Sequence, residues 1–490
     1  MAAATLWIDV EDLFEYALHN QRPSGIQRLA FQLYRALQTE HGATGLIRFV
    51  RHDTARNTFR IVAWSEVAAV FDRLAAGRPP RPARSDPAAG TASWRRPLRG
   101  MLHRLSPPLR ASLIEAARTQ GRAFRAWWQV ARASAHGARS VTTQLIRAGR
   151  RHPHGDDFAR CVAPGDIVLA LGSPWSHPEY AGLVRARCER DGLQFGLLLY
   201  DLSAVRYPEW FDRGLVTSFG RWLHDVLPLC STVFAISRAT AADVTAYAGE
   251  FRIPLAGPVV PLPLGDSLTR DVSIAVAGRQ PPAGEYVLFV STIEARKNHV
   301  LLFRVWRRLL AEMPRERVPT LVFVGRVGWL VADLMQQIVN TEYLAGRLVL
   351  VDDATDADLA ALYRGCLFTV YPSFFEGWGL PVTESLSFGK PCLASDRSSL
   401  PEAGGALARY LDPDDLHGWY SAIRELLEDR AELAQWEARI RREFKPASWS
   451  ETVHALLAGL RHPLAAAPNR RTALANWETS APSAASVPRS

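Results

Sequence analysis

The run Tyr371-Pro372-Ser373-Phe374-Phe375-Glu376-Gly377-Trp378-Gly379-Leu380-Pro381-Val382-Thr383-Glu384 carries an apolar strand, 367–371, through a loop with two glycines into a helix near Pro381. Proline suits the first helical turn, where its missing N–H has no partner to lose. Gly377 and Gly379 let backbone N–H groups approach a ligand, and the helix N-terminus adds positive partial charge. The carboxyl ends of buried strands are where open α/β sheets bind such ligands, so the loop has the form of a diphosphate cradle. Glu376 stands at the loop, and Glu384, eight residues on, lies a turn into the helix. A Gly-rich turn with a carboxylate favouring the helix dipole accounts for the same residues without a ligand.

Short apolar runs alternate with helical patterns along the rest of the chain, as parallel α/β units require. One series of predicted strands covers 6–10, 47–51, 60–64, 167–171, 195–200 and 232–237. A second covers 286–290, 320–324, 348–351, 367–371 and 391–394. The Pro- and Gly-bearing stretch at 265–282 separates them. The fold class is therefore α/β, with two Rossmann-like doubly wound domains facing across a cleft. The expected domains are 1–270, carrying a basic, partly disordered or helical insertion at 73–160, and 271–462. The last clear helix is 449–460, and the Ala-, Pro- and Ser-rich tail 463–490 is expected to be disordered.

The 490 residues carry a formal net charge of +9, and a pI near 9.5 suggests a nucleic-acid binder. The charge is local. Between Arg73 and His152 stand 17 arginines against two acids, Asp86 and Glu115, a balance of +15. The remainder holds 41 basic and 47 acidic residues, a balance of −6, so no nucleic-acid partner is expected. Cys161, Cys188, Cys230, Cys366 and Cys392 are odd in number and lack a C-x-x-C pair, which argues for a reducing compartment. The N-terminal residues lack the basic start of a signal peptide, and no apolar run is long enough to span a bilayer. A cytoplasmic protein, peripheral at most on the inner face of the cytoplasmic membrane, is expected.

A second informative segment, Ser291-Thr292-Ile293-Glu294-Ala295-Arg296-Lys297-Asn298, follows strand 286–290 directly. Arg296 and Lys297 are expected to open a helix, where two cations oppose the dipole and call for an anion. Lys297 is one of three lysines against 55 arginines, and a lysine kept there fits a point-charge phosphate binder. A solvated helix start explains the pair equally simply.

Together these segments resemble the retaining glycosyltransferases of family 4, the glycosyl transferases group 1, whose fold is GT-B. The Glu376-to-Glu384 spacing and the Arg296-Lys297-Asn298 run carry the resemblance, with Val324-Gly325-Arg326, Gly328-Trp329, Leu400-Pro401-Glu402 and Leu411-Asp412-Pro413. It covers about 285–460. A fainter likeness extends to Ser24-Gly25-Ile26-Gln27-Arg28 and to Tyr200-Asp201-Leu202-Ser203 with Pro208-Glu209, where relatives often have histidine in place of Tyr200. The resemblance implies a nucleotide-diphosphate sugar held mostly by the C-terminal domain. Arg296 and Lys297 would neutralise the diphosphate, helped by backbone N–H groups around Gly377, Trp378, Gly379 and Leu380. Glu384 would hold ribose and Glu376 the donor sugar. Gly25 and Gly325 would let backbone approach the donor, and Asp201 would face acceptor or sugar.

The implied reaction moves a hexose such as mannose, or a deoxyhexose, to a glycan or lipid-linked acceptor in bacterial polysaccharide or lipopolysaccharide biosynthesis. Retention by same-face attack, with the leaving phosphate as base, requires neither a protein base nor a metal or other cofactor. Lys297→Ala and Glu376→Ala are each expected to abolish most turnover and leave folding intact. A GT-B-like epimerase or phosphorylase is the competing enzyme class. A non-catalytic basic adaptor for membrane or nucleic acid on this scaffold is the competing non-enzyme.

The remaining candidates are weaker. Asp352-Asp353 and Asp412-x-Asp414-Asp415 read as solvated turns or caps rather than metal ligands. His177 lies just past strand 167–171 and reads as a polar loop residue. Over 113–139, Leu113, Phe124, Trp127 and Trp128 share a helical face beside Arg118, Arg122, Arg125, Arg132 and Arg139. Such a stripe within 109–151 fits an anionic membrane surface, and a hairpin packed on the N-terminal domain fits it as well.

Overall fold

The computed structural model describes residues 4–20, 22–54, 56–76, 157–177, 179–265 and 282–461. The bulk of the basic insertion, its amphipathic stretch, the expected linker and the tail lie outside these residues.

Two sheets organise the chain. The first holds β1 (Leu6–Asp9), β2 (Ile47–Asp53), β3 (Thr58–Val62), β4 (Ile167–Ala170), β5 (Gln194–Leu199), β6 (Thr232–Ala235) and β7 (Val260–Pro261), in the order β3-β2-β1-β4-β5-β6-β7. The second holds β8 (Tyr286–Val290), β9 (Thr320–Val324), β10 (Leu348–Val351), β11 (Thr369–Tyr371), β12 (Cys392–Ser395) and β13 (Arg409–Leu411), in the order β10-β9-β8-β11-β12-β13. Runs such as Tyr286–Val290 and 321–324 are apolar on both faces because helices cover both faces of a parallel sheet. The two Rossmann-like domains of the GT-B expectation are therefore present. β3 departs from the parallel pattern: it pairs antiparallel with β2, from Phe49 opposite Val62 to Asp53 opposite Thr58.

In each sheet the strand order reverses beside the first strand, β1 flanked by β2 and β4, and β8 by β9 and β11. Loops leaving such neighbouring strands in opposite directions open a crevice at their carboxyl ends. Residues after β8 and β11 enter the same crevice, which brings Arg296 and Glu376 together across 80 residues of sequence.

One boundary differs from the expected 271–462. The helix Trp449–Gly459 belongs to the N-terminal core: Val453, Leu456 and Leu457 are fully buried there with Leu33, Leu37 and Phe234. Its apolar face packs into the N-terminal core beside the helix Gly25–His41. Among the described residues, the chain therefore returns to the N-terminal domain after the C-terminal one.

Candidate functional site

After β8 the backbone bends where Ser291 N donates to the Val324 carbonyl, then makes a single 3-10 turn at Ala295–Lys297. Asn298 adopts a left-handed conformation (φ +60), and the helix proper begins at His299. Arg296 and Lys297 thus precede the helix instead of opening it. The turn aims both side chains at the loop after β11. Lys297 Nζ donates to Glu376 Oε1 at 2.5 Å and to the Tyr371 hydroxyl at 3.3 Å. Arg296 Nη1 lies 3.2 Å from Glu376 Oε2, and Nη2 lies 2.8 Å from Glu294 Oε1. Arg296 also donates to the Phe375 carbonyl, and its own carbonyl accepts from Phe374 N at 3.0 Å.

The anion that the two cations required is therefore built in. Glu294 and Glu376 supply two carboxylates against two cations; both carboxylates and Lys297 are buried, and Arg296 is half-buried. Burial pushes the Glu376 carboxyl up, but Lys297 and then Arg296 outweigh it and bring it to about 2. Burial, helped by the Arg296 charge, lowers the Lys297 ammonium despite its pairing with Glu376. Burial, then Lys297, drives His299 down to about 3, so its imidazole is neutral beside them. A charge held this far from water interacts strongly with any further charge brought to it.

Two glycines act through close packing. A Cβ on Gly377 would stand 1.9 Å from the Tyr200 carbonyl of the opposite domain, so only glycine permits that approach. Gly379 has φ +117 and sits against Leu400. The helix Leu380–Ser387 then begins, with Pro381 in its first turn. Trp378, half-buried, packs on the cores of both domains. Glu384 is buried in the second turn, where Oε2 accepts from the Tyr363 hydroxyl at 2.8 Å. Gly325 (φ +150) passes over Ser291, whose carbonyl would lie 2.1 Å from a Cβ, so close backbone packing explains this glycine.

The N-terminal domain closes the site. Gly25 is the first residue of the helix Gly25–His41, and its Cβ position lies 3.8 Å from Leu380. Two helix starts therefore meet across the cleft, each contributing unpaired N–H groups and positive partial charge. Arg28 pairs with Asp356 at 2.7 Å, and Arg22 donates to the Asp353 and Ala354 carbonyls at 2.6 Å. Asp201 accepts from Ser203 N at 2.9 Å; burial lowers the Arg296 guanidinium, but Glu376, then Glu294, then Asp201 outweigh it and hold it above its usual range. Tyr200 is buried, and its hydroxyl donates to the Leu171 carbonyl at 2.6 Å.

His177 lies elsewhere, its ring edge-on to His52 at 4.7 Å, near the carboxylates that follow β1. Asp412 pairs with Arg397 at 2.9 Å, and Asp415 caps the helix Leu416–Glu428. Among the described residues, no group of three or more His, Cys, Asp or Glu is placed to hold a metal ion. No helix among them is long and apolar enough to cross a membrane.

Three contributors escaped the sequence reading: Glu294, Arg28 with Asp356, and Ser398 with Ser399. The serines hold the loop from behind, Ser398 Oγ accepting from Glu376 N at 2.8 Å and Ser399 Oγ donating to the Glu376 and Trp378 carbonyls at 2.9 and 2.7 Å. Arg28 and Glu294 lie inside motifs already singled out; nothing local in sequence marks the serines.

Residues 276–443 match the family model described as glycosyl transferases group 1. The chain carries a glycosyl transferases group 1 domain. This domain contains Arg296, Lys297, Glu376 and Glu384. The chain is 29% identical over 256 residues to O-antigen chain mannosyltransferase B of Escherichia coli, covering 51% of this chain and 65% of that relative. It is 30% identical over 176 residues to the serotype-specific mannosyltransferase WbdA of Escherichia coli, covering 36% of this chain and 21% of the relative. The match thus spans less than two thirds of either relative. Among solved structures, TarM superposes with a TM-score of 0.46 at 14% identity, over 62% of this chain and 56% of TarM.

Proposed function

We propose that this chain is a glycosyltransferase that moves a hexose, most simply mannose, from a nucleotide-diphosphate donor to a glycan or lipid-linked acceptor of a bacterial surface polysaccharide. The observation that carries the proposal is the largely buried Arg296–Lys297–Glu376 cluster at the carboxyl ends of β8 and β11. The group 1 domain and the similarity to two mannosyltransferases support the reaction class and the sugar.

In this scheme the diphosphate lies between the helix starts at Gly25 and Leu380. Departure of the sugar leaves a negative charge on the diphosphate, which Arg296, Lys297 and the N–H groups of Gly377 to Leu380 stabilise without reorganising. Glu376 turns from Lys297 toward a donor-sugar hydroxyl as the diphosphate takes over its cations. Glu384, deeper in the helix, faces the ribose, and Asp201 faces the acceptor from the opposite domain. The leaving oxygen takes the acceptor proton on the face it leaves, so the anomeric configuration is retained. All positive charge in the scheme comes from the chain, which calls for no metal or other cofactor. An acceptor on a lipid carrier would place the reaction at the inner membrane face, where the +15 segment meets anionic lipid.

A thermal-shift screen of GDP, UDP, ADP, dTDP and their sugars tests the donor, and NMR of the product's anomeric proton tests retention. Stabilisation by GDP and GDP-mannose with an α-linked product is the expected result. Binding by none of the nucleotides would overturn the proposal.

A further inference from the structure

The short helix Leu400–Gly404 follows β12 and stands between the two domains. Its Glu402 carboxylate accepts from the backbone N–H of Arg238 at 2.8 Å and of Ala239 at 2.7 Å. These are the first residues of the helix Arg238–Glu250 in the opposite domain. The Arg238 Nε adds a third contact at 3.5 Å. First-turn N–H groups have no partner inside their own helix, and the Ser237 side chain caps only Thr240 N. One domain therefore supplies the anion that completes a helix end of the other.

The same segment holds the loop that carries Glu376. Ser398 has φ +50, a conformation disfavoured for a residue with a Cβ, and that turn lets both Ser398 and Ser399 bond the loop backbone. Leu400 packs on Gly379, whose Cβ position lies 2.6 Å from its Cδ2. From the opposite side, the Thr240 hydroxyl donates to the Gly377 carbonyl at 3.3 Å. The first turn of the helix Arg238–Glu250 thus touches the loop directly and, through Glu402, touches the segment that shapes it.

We propose that Glu402 is a positioning residue that couples closure of the two domains to the form of the Glu376–Leu380 loop; this rests on the donor site proposed above. When the domains part, Glu402 loses both N–H partners together and Thr240 releases Gly377. The segment Ser398–Leu400 is then anchored on one side only, and the loop loses the support that holds its backbone N–H groups and Glu376 at the site. When they close, the contacts form as a set, so the cradle is complete only in the closed arrangement. Glu402 itself touches no reacting atom.

Small-angle scattering of the full chain with and without GDP, UDP, ADP and dTDP, paired with nucleotide titrations, tests the coupling in wild type, Glu402→Ala and Glu402→Gln. Wild type should become more compact with the nucleotide it binds. Glu402→Ala should stay extended at saturating nucleotide, with affinity lowered about tenfold or more, the scale for losing hydrogen bonds to a charged group. Glu402→Gln keeps one acceptor oxygen and should recover part of the compaction; it serves as the reporter if the alanine variant is unstable. A purely structural role would lower the unfolding temperature and leave nucleotide-driven compaction intact. Glu402 variants that bind and close like wild type would overturn the coupling and leave the donor site standing. Failure of wild type to bind any of the four nucleotides would overturn the donor site and the coupling with it.

Discussion

Removing the Glu376 carboxylate should destabilise the C-terminal domain as well as stop turnover. In Glu376→Ala, Arg296 keeps Glu294 at 2.8 Å, but Lys297 keeps only the Tyr371 hydroxyl at 3.3 Å. Leaving a buried charge without its counter-ion costs about 3–5 kcal/mol. For a domain of this size each kcal/mol moves the melting temperature by about 2–4 °C, so the domain's transition should fall by about 6–20 °C. Adding Lys297→Met removes the stranded charge, and the double variant should be more stable than the sum of the single losses by about 1 kcal/mol or more. Glu376→Gln keeps an oxygen for Nζ and should lose less than the alanine variant. Thermal unfolding followed by circular dichroism reads wild type, Glu376→Ala, Lys297→Met, Glu376→Gln and the double variant, with transfer assays in parallel. A Glu376→Ala transition within about 2 °C of wild type, or strictly additive single losses, would show that the cluster is not coupled as its distances indicate. The sequence alone led to the expectation of lost turnover with intact folding. Burial of the cluster revises the second half of that expectation.

The acid response follows from the same residues. The Glu376 carboxyl is lowered from 4.5 to about 2, so its stabilisation is complete above about pH 4.5 and is lost as pH falls toward 2. Urea midpoints of wild type should drop over that window, and the Glu376→Gln drop should be shallower. Gly377→Ala drives a Cβ to 1.9 Å from the Tyr200 carbonyl and must displace the loop. A displacement of about 1 Å can lower turnover about 10²-fold; Gly25→Ala, meeting Leu380 at 3.8 Å, should fold as wild type and lose nucleotide affinity alone. Transfer should proceed undiminished in EDTA, since the cations of the scheme are Arg296 and Lys297; dependence on an added divalent ion would refute that part of the scheme.

The strands were legible because each is a short apolar run bounded by turn residues. Those at 286–290, 320–324 and 348–351 fall where the periodicity places them. The antiparallel turn of β3 was not, because pairing direction depends on the partner strand and leaves no mark in the strand's own pattern. The allegiance of the helix Trp449–Gly459 was hidden for a related reason. Its apolar stripe states that it packs, and only the shape of the unfilled surface on the N-terminal sheet states where.

By itself the sequence determined the α/β class, two domains, and the residue types that meet at the crevice, since these follow from local periodicity, glycine placement and motif spacing. Tertiary structure decided the charge state of that site. Arg296, Lys297, Glu294 and Glu376 form a balanced, largely buried set, and its balance depends on distances of a few ångströms between loops 80 residues apart. It also decided which residues join the domains: Gly377 against Tyr200, Arg28 with Asp356, and Glu402 on the helix Arg238–Glu250. Contacts across a cleft have no periodicity to read, because each residue there is placed by its own domain's core rather than by its sequence neighbours.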